Sequence, residues 1–454
     1  LNDLLVMKFG GTSVGSAGRM RAAAALASRE RRNRPVLVVV SAMSKITDLL
    51  LDTMRHAEAG DRAGIDANLS TLRSRHLEAC RELLSEVRQA AAMAGLHGLI
   101  AEFERIVSGM VLLNERPPRS VDEAVAVGER LSALLVAECL NREGTPAAAV
   151  NAWDVVVTDA VFGNASPLME PTRTKARERL LPMLDEGLVP VVTGFNGATS
   201  DGRPTTLGRG GSDFSASILA AALDAAEVWI WTDVDGIMSA DPRLVPDAVV
   251  LDEVTYAEAA ELAYNGAKVL HPRTLAPLVE RRIPVWSKNS FAPEKPGTQI
   301  VPAIAATNGA RAVTSMTNVA LVSLEPASAE ITGVRVMARA LDAIARANVE
   351  ILVRAEELTR TMEALESALA LELAHGYVTP IHVDTSVGLL AVVGEGMQGK
   401  PGLAGRIFTA ISREQVNIIA IAQGSSELTI AVVVRRDGLE KAVRAVHKEC
   451  RLGR

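Results

Sequence analysis

Aromatic residues are scarce. Phe, Trp and Tyr make up 3% of the 454 residues, so the core must be packed from Ala, Leu, Val and Ile, which the 48% hydrophobic content supplies. Cysteine is scarcer: Cys80, Cys139 and Cys450 lie far apart, which excludes a disulfide framework and a zinc pattern and fits a reducing cytoplasm. No apolar run approaches the ~20 residues of a membrane span. The short run 4–7 leads straight into Lys8 and glycines, unlike a signal peptide. A soluble, cytoplasmic protein without a membrane partner is expected. Excess positive charge is lacking too. The net charge of −6 argues against nucleic acid as a partner, which would need a basic face. Among the seven histidines no Ser-His-Asp, Cys-His or His/Cys arrangement can be argued, so no protein-bound metal is expected. No Gly-x-Gly-x-x-Gly turn opens the chain. Residues 197–204 imitate P-loop spacing, but Arg203-Pro204 stand where Lys and Ser/Thr are required.

What is present is a succession of short apolar runs and helical stretches. The runs 4–9, 36–40, 155–158, 189–193, 228–232 and 283–285 read as strands. Helices are expected at 17–31, over the long stretch 47–116 with breaks at Gly60, Gly64 and Gly95, and at 122–141. Alternation of this kind argues a mostly parallel α/β sheet with helices on both faces. Ligands then bind at the carboxyl ends of the strands, where the candidate residues fall. Composition shifts at 298–318, read as a domain boundary. Beyond it, strands at 318–324 and 350–353 surround a helix at 333–347. Strands at 388–393, 416–420 and 428–434 accompany helices at 403–413 and 439–449. These look like two weak repeats of a small α+β module, about 315–380 and 385–454.

The organising stretch is 205–213, Thr-Thr-Leu-Gly-Arg-Gly-Gly-Ser-Asp. Ser212 and Asp213 open an Ala-rich helix as an N-cap signal. A helix start suits an anion, and an arginine held there can bind a carboxylate through two parallel bonds. An ordinary Gly-rich loop before a helix reads equally well. Lys8 ends a strand just before two glycines, which favours a phosphate contact over a surface lysine. The stretch Thr232-Asp233-Val234-Asp235-Gly236 is either a nucleotide edge or a loop shaped by Asp and Gly. Gly128 lies inside a helical stretch, a costly position that asks for a packing or ligand reason. Glu129 beside it could bind an ammonium group or form a plain surface pair with Arg130. His271, before Pro272, reads as a structural hydrogen-bonding group.

Together these pieces resemble the aspartokinase family over nearly the whole chain. The motifs are Lys8-Phe9-Gly10-Gly11-Thr12-Ser13-Val14-Gly15, Val39-Val40-Ser41-Ala42-Met43-Ser44, residues 205–213, Trp231-Thr232-Asp233-Val234 and Gly266-Ala267-Lys268-Val269-Leu270-His271-Pro272. The C-terminal units resemble ACT domains, clearest in Ala420-Ile421-Ala422-Gln423-Gly424-Ser425-Ser426-Glu427. The resemblance implies an amino-acid-kinase fold, a mostly parallel central sheet flanked by helices, at 1–300. It implies α+β ACT-type regulatory domains at 310–454. With no room for an appended homoserine dehydrogenase, a monofunctional form is expected. The implied activity is phosphorylation of the β-carboxylate of L-aspartate by ATP with Mg²⁺, the first step towards lysine, threonine, methionine and diaminopimelate.

By the same carry-over Lys8, Asp213 and Arg209 are catalytic, with Asp213 orienting Lys8. Ser41, Thr47, Glu129, Arg209 and Ser212 hold aspartate. Lys8, Gly10, Gly11, Thr12, Ser13, Thr232, Asp233, Met238, Arg243 and Lys268 serve the nucleotide. Asn417, Gln423, Ser425, Ser426 and Glu427 mark an effector site for lysine or threonine. Pairing of ACT units between chains implies a homo-oligomer, dimer or tetramer. The nucleophile is a carboxylate with a free pKa of about 3.9, already ionised at neutral pH, so no general base is required.

Two departures from the family stand out. Met238 occupies a position near the nucleotide base where the family often has tyrosine. In the first ACT-like unit Arg354-Ala355-Glu356-Glu357-Leu358 replace the Gln-Gly-Ser-Ser-Glu loop, and 325–332 lack the expected glycines. The first unit is therefore read as degenerate, with feedback inhibition lost or altered. The competing readings are a kinase for another small carboxylic acid and a non-catalytic amino-acid-sensing ACT protein.

Overall fold

A computed structural model describes residues 3–267, 270–305, 309–324, 327, 333–346, 353–424 and 426–453. Lys268, Ser425 and most of the expected strand 350–353 lie outside the described residues, as does nearly all of 325–332. The chain forms two compact units. One comprises Leu1–Ile237, Val250–Ala260 and Val269–Ile304; the other comprises Met238–Val249, Glu261–Lys268 and Ala305–Arg454.

The first unit is built on an eight-stranded sheet. In spatial order its strands are Ala147–Val150, Val189–Thr193, Val36–Val40, Leu5–Phe9, Glu227–Thr232, Val285–Asn289, Thr298–Val301 and Glu253–Thr255. All neighbours run parallel except Val285–Asn289 with Thr298–Val301. Leu5–Phe9 and Val36–Val40 are buried at every position, which is why they are near-continuous apolar runs without alternation. The helix Ala17–Arg31 follows the first strand, its start capped by the Ser16 side chain, which accepts from the Arg19 N–H.

Several boundaries depart from the sequence expectation. The stretch 47–116 forms three helices, Ile46–Glu58, Arg62–Leu83 and Glu86–Leu113. Gly95 interrupts nothing, because it lies inside the third; the break falls at Leu84-Ser85. The expected helix 122–141 is a pair, Pro118–Val125 and Val127–Arg142, so Gly128 stands in the first turn of a helix and not in its middle. The strand expected at 155–158 shrinks to Val157–Thr158 behind a 3-10 turn, and that at 283–285 moves to Val285–Asn289. The helix after the Gly-rich stretch is Gly211–Leu223, capped by Gly210 in the left-handed region; Ser212 and Asp213 lie in its first turn and do not cap it. A small sheet of Val157–Thr158, Asn196–Thr199 and Pro204–Thr206 was not expected, because Asn, Gly, Ala and Thr carry no apolar alternation.

The second unit holds a four-stranded antiparallel sheet. Its order is Ala312–Met316, Val387–Val393, Thr429–Arg435 and Ile418–Gln423. The helices Leu403–Arg413 and Leu439–Glu449 contribute to its core through Leu403, Ile407, Ile411, Leu439, Val443 and Val446. The two-stranded sheet Leu321–Ser323 with His382–Asp384 and the helices Gly333–Arg346, Leu358–Ala368 and Ala370–Ala374 belong to this unit as well. Among the described residues no helix is long and apolar enough to cross a membrane.

Candidate active site

A cavity of about 730 Å³ opens in the first unit. It lies beyond the carboxyl ends of the parallel strands, where such sheets bind ligands. Lys8, Gly11, Thr12, Ser41, Thr47, Glu129, Arg209, Ser212 and Asp213 all line it. Residues more than two hundred positions apart in the chain thus meet in one place.

Lys8 is buried in the first strand, and its Nζ lies 2.5 Å from Asp213 Oδ1. A buried ammonium group needs such a partner, and the ion pair fixes its position. The following turn is compact. The Gly10 N–H donates to the Trp231 carbonyl at 3.3 Å, and Ser13 and Val14 N–H groups donate back to Gly10. A Cβ at Gly10 would sit 3.4 Å from Lys8 Nζ, and one at Gly11 only 3.0 Å from the Ala42 carbonyl. The turn is therefore a cradle that a side chain would fill. Ser13, expected among the nucleotide contacts, has no exposure; its hydroxyl shares a 2.7 Å hydrogen bond with Ser290 Oγ and faces the Trp231 carbonyl at 3.3 Å. It braces the turn from beneath.

Glu129 is 2% exposed. The Ala42 N–H donates to Oε1 at 3.1 Å, while Oε2 has no protein partner. Burial pushes its carboxyl up to about 8, partly opposed by the Ala42 bond. A half-satisfied buried carboxyl facing a cavity is a natural partner for a cationic ligand group. Gly128 permits this: a Cβ there would lie 2.9 Å from Ala42 Cβ.

Arg209 is exposed on the turn between Pro204–Thr206 and Gly211–Leu223, where Gly208 and Gly210 adopt positive φ. Gly211 packs so closely on Phe195 that an added Cβ would lie 2.5 Å from the ring. Asp122, which the sequence reading missed, is 2% exposed and also lines the cavity. It accepts from Gly163 N–H at 2.8 Å, Thr206 N–H at 2.9 Å and Thr206 Oγ1 at 2.8 Å. Arg75 is a second omission; its guanidinium donates to the Ser44 carbonyl at 2.8 Å and holds the cavity loop.

The remaining expected residues lie elsewhere. Thr232 ends its strand, and its hydroxyl accepts from the Val234 N–H at 3.2 Å; Asp233 is exposed beside it. Neither lines the cavity. Met238 and Arg243 belong to the second unit, where the Arg243 guanidinium is paired with Asp241. His271 caps the helix Pro272–Arg281, its Nδ1 accepting from the Arg273 N–H at 3.3 Å, which is the structural role expected of it. In the second unit Asn417, Gln423, Ser426 and Glu427 are exposed, and Glu427 Oε2 accepts from the Gly399 N–H at 2.7 Å.

Comparison with known proteins gives consistent results. The amino acid kinase family pattern matches residues 3–289, and an ACT domain pattern matches 390–450. The chain is 35% identical to the chloroplastic bifunctional aspartokinase/homoserine dehydrogenase 1 of Arabidopsis thaliana, over 99% of this chain and 51% of that protein. It thus spans about half the length of the bifunctional relatives it matches. It is 32% identical to the lysine-sensitive aspartokinase 3 of Escherichia coli, over 98% of this chain and 99% of the relative. The crystal structure of E. coli aspartokinase III with aspartate and ADP superposes with a TM-score of 0.85 at 31% identity, covering 98% of this chain and 99% of that one.

Proposed function

The chain belongs to the amino acid kinase family and, within it, to the aspartokinases, and from that premise we propose that it transfers the γ-phosphoryl group of ATP to the β-carboxylate of L-aspartate. One observation carries the reading. A single cavity gathers the Lys8–Asp213 pair, the half-satisfied Glu129 and Arg209. Glu129 takes the substrate ammonium and Arg209 a carboxylate, with Ser41, Thr47 and Ser212 beside them. The other carboxylate is the nucleophile and is ionised at neutral pH. What opposes reaction is the approach of an anion to a polyphosphate, so catalysis is positioning and charge neutralisation. Lys8, held by Asp213, neutralises the transferred phosphoryl group. The turn Gly10-Gly11-Thr12 brings backbone close to the phosphates.

Thr232 and Asp233 serve the nucleotide at the neighbouring strand end, and Lys268, Met238 and Arg243 are assigned to it by the family resemblance. Mg²⁺ is proposed to arrive on the nucleotide phosphates. Such an ion needs only one or two protein carboxylates. The exposed edge strand Ile418–Gln423, with Ile421 about half exposed, supports pairing of copies through the second unit.

The test is ATP turnover with L-aspartate, L-glutamate and N-acetylglutamate. Turnover dependent on L-aspartate is expected, with poor activity on the acetylated acid, whose amine cannot pair Glu129. Lys8→Ala should lower turnover by ~10²-fold or more, the scale of losing one preorganised charge, with little change in aspartate affinity. Aspartate-independent or absent turnover refutes the proposal.

A further inference from the structure

Asp122 has no place in the chemistry above, yet it is a buried carboxylate in the wall of the substrate cavity. Its two oxygens are spent on the protein. Oδ2 accepts from the N–H groups of Gly163 and Thr206, and Oδ1 accepts from the Thr206 hydroxyl. Both donor residues line the cavity. Thr206 in turn gives its carbonyl to the Ala165 N–H at 2.8 Å, so the loop of Gly163 and the strand of Thr206 are tied together at this point. Three residues beyond Thr206 stands Arg209. Between them Gly208 is so close to Asn164 that an added Cβ would lie 2.4 Å from its Oδ1. On the other side, Asp122 and Glu129 lie about two helical turns apart on the consecutive helices Pro118–Val125 and Val127–Arg142.

We propose that Asp122 is a positioning residue that holds the α-carboxylate-binding Arg209 in place relative to the ammonium-binding Glu129, so that the anchored α-end sets how far the side-chain carboxylate must reach towards Lys8 and thereby the length of amino acid the cavity accepts. The consecutive helices Pro118–Val125 and Val127–Arg142 carry Glu129 directly and Arg209 indirectly, through the clasp of Asp122 on Thr206. Both oxygens of Asp122 are engaged by the protein itself. The proposal rests on the aspartate-kinase reading and names the residue that enforces its substrate length.

Asp122→Ala leaves the buried Thr206 N–H and hydroxyl, and the exposed Gly163 N–H, without this partner, so the Thr206–Arg209 segment must shift to find others. Asp122→Asn is the conservative control. Its amide oxygen can accept from both N–H groups while its NH₂ donates to the Thr206 hydroxyl. Steady-state kinetics on L-aspartate and L-glutamate and calorimetric nucleotide binding form the experiment. For Asp122→Ala the expectation is a KM for aspartate raised roughly tenfold, equivalent to one imperfectly made polar contact. The preference for aspartate over glutamate should narrow by a similar factor, with nucleotide affinity unchanged. Asp122→Asn should restore both properties to within a few-fold. A merely structural role would lower the active fraction, and hence kcat, without moving KM or selectivity.

The proposal is overturned if Asp122→Ala retains wild-type KM and selectivity. It is equally overturned if Asp122→Asn is as impaired as the alanine variant, since the charge itself would then act. If Asp122→Ala does not fold, Thr206→Val decides. It removes one of the three bonds, and must shift aspartate KM in the same direction or the proposal fails. Wild-type enzyme without aspartate-dependent turnover would sink the functional reading, and this inference with it. Active wild-type with unchanged variants sinks this inference alone.

Discussion

Glu129 illustrates what one residue gives up for function. Its carboxyl, ordinarily near 4.5, is pushed up to about 8 because burial costs the charged form more than the single Ala42 bond returns. The sign of the stability effect follows. Below pH 4.5 the group is protonated folded and unfolded, and contributes nothing. Between 4.5 and about 8 the unfolded chain has released a proton that the folded chain retains, so stability falls as pH rises. Glu129→Gln removes this dependence. Thermal melts without substrate should show wild-type losing stability relative to that variant from pH 5 to pH 8; parallel curves would contradict it. An incoming ammonium reverses the balance by favouring the anion. Aspartate binding at neutral pH should therefore release close to one proton, read as an enthalpy that varies with the ionisation enthalpy of the buffer. An enthalpy independent of buffer would mean that the ammonium does not meet Glu129.

Elements differ in how much of them could be read in advance. Leu5–Phe9 and Val36–Val40 are legible because strands buried on both faces leave unbroken apolar runs. Lys8 is legible because glycines follow it directly. The hairpin Asn196–Thr199 with Pro204–Thr206 is illegible, since its residues are buried among neighbours no local pattern names. Asp122 is hidden for the same reason: its partners come from Gly163 and Thr206, far along the chain. Gly128 is an intermediate case. The need for a glycine was readable, but its cause, Ala42 across a helix–loop contact, was not. That contact makes a prediction for the helix as a whole. In Gly128→Ala the new methyl group would lie 2.9 Å from Ala42 Cβ and 3.3 Å from Leu50 Cδ1, so Val127–Arg142 must move off the loop at 41–44. Overpacking of this kind costs ~1–3 kcal/mol, more than the ~1 kcal/mol alanine returns in helix propensity. Denaturant unfolding should give a net loss, and aspartate affinity should fall because the Ala42–Glu129 bond stretches. A variant as stable as wild-type with normal aspartate affinity would show the loop to be compliant.

At the scale of the whole molecule, regulation by an amino acid turns on the second unit. The matched E. coli relative is named for its lysine sensitivity. Here the ACT pattern matches 390–450. An amino-acid effector needs free backbone groups and glycines that let it come close. Residues 354–358 carry no glycine: Ala355–Glu357 is a 3-10 turn running into the helix Leu358–Ala368, with Arg354 bridged to Val319. An effector shifts affinity only by binding two states unequally, and ordinary couplings are worth about fivefold or more. On the expectation that the first unit is degenerate, lysine and threonine, singly or together, should change the KM for aspartate by less than about fivefold. Initial rates at subsaturating aspartate measure this. Strong inhibition with an effector located at the first unit would overturn it. Reciprocity supplies an independent check without any turnover. If lysine binds the second unit but is uncoupled, its calorimetric affinity must be the same with and without aspartate, because coupling between two ligands is equal in both directions.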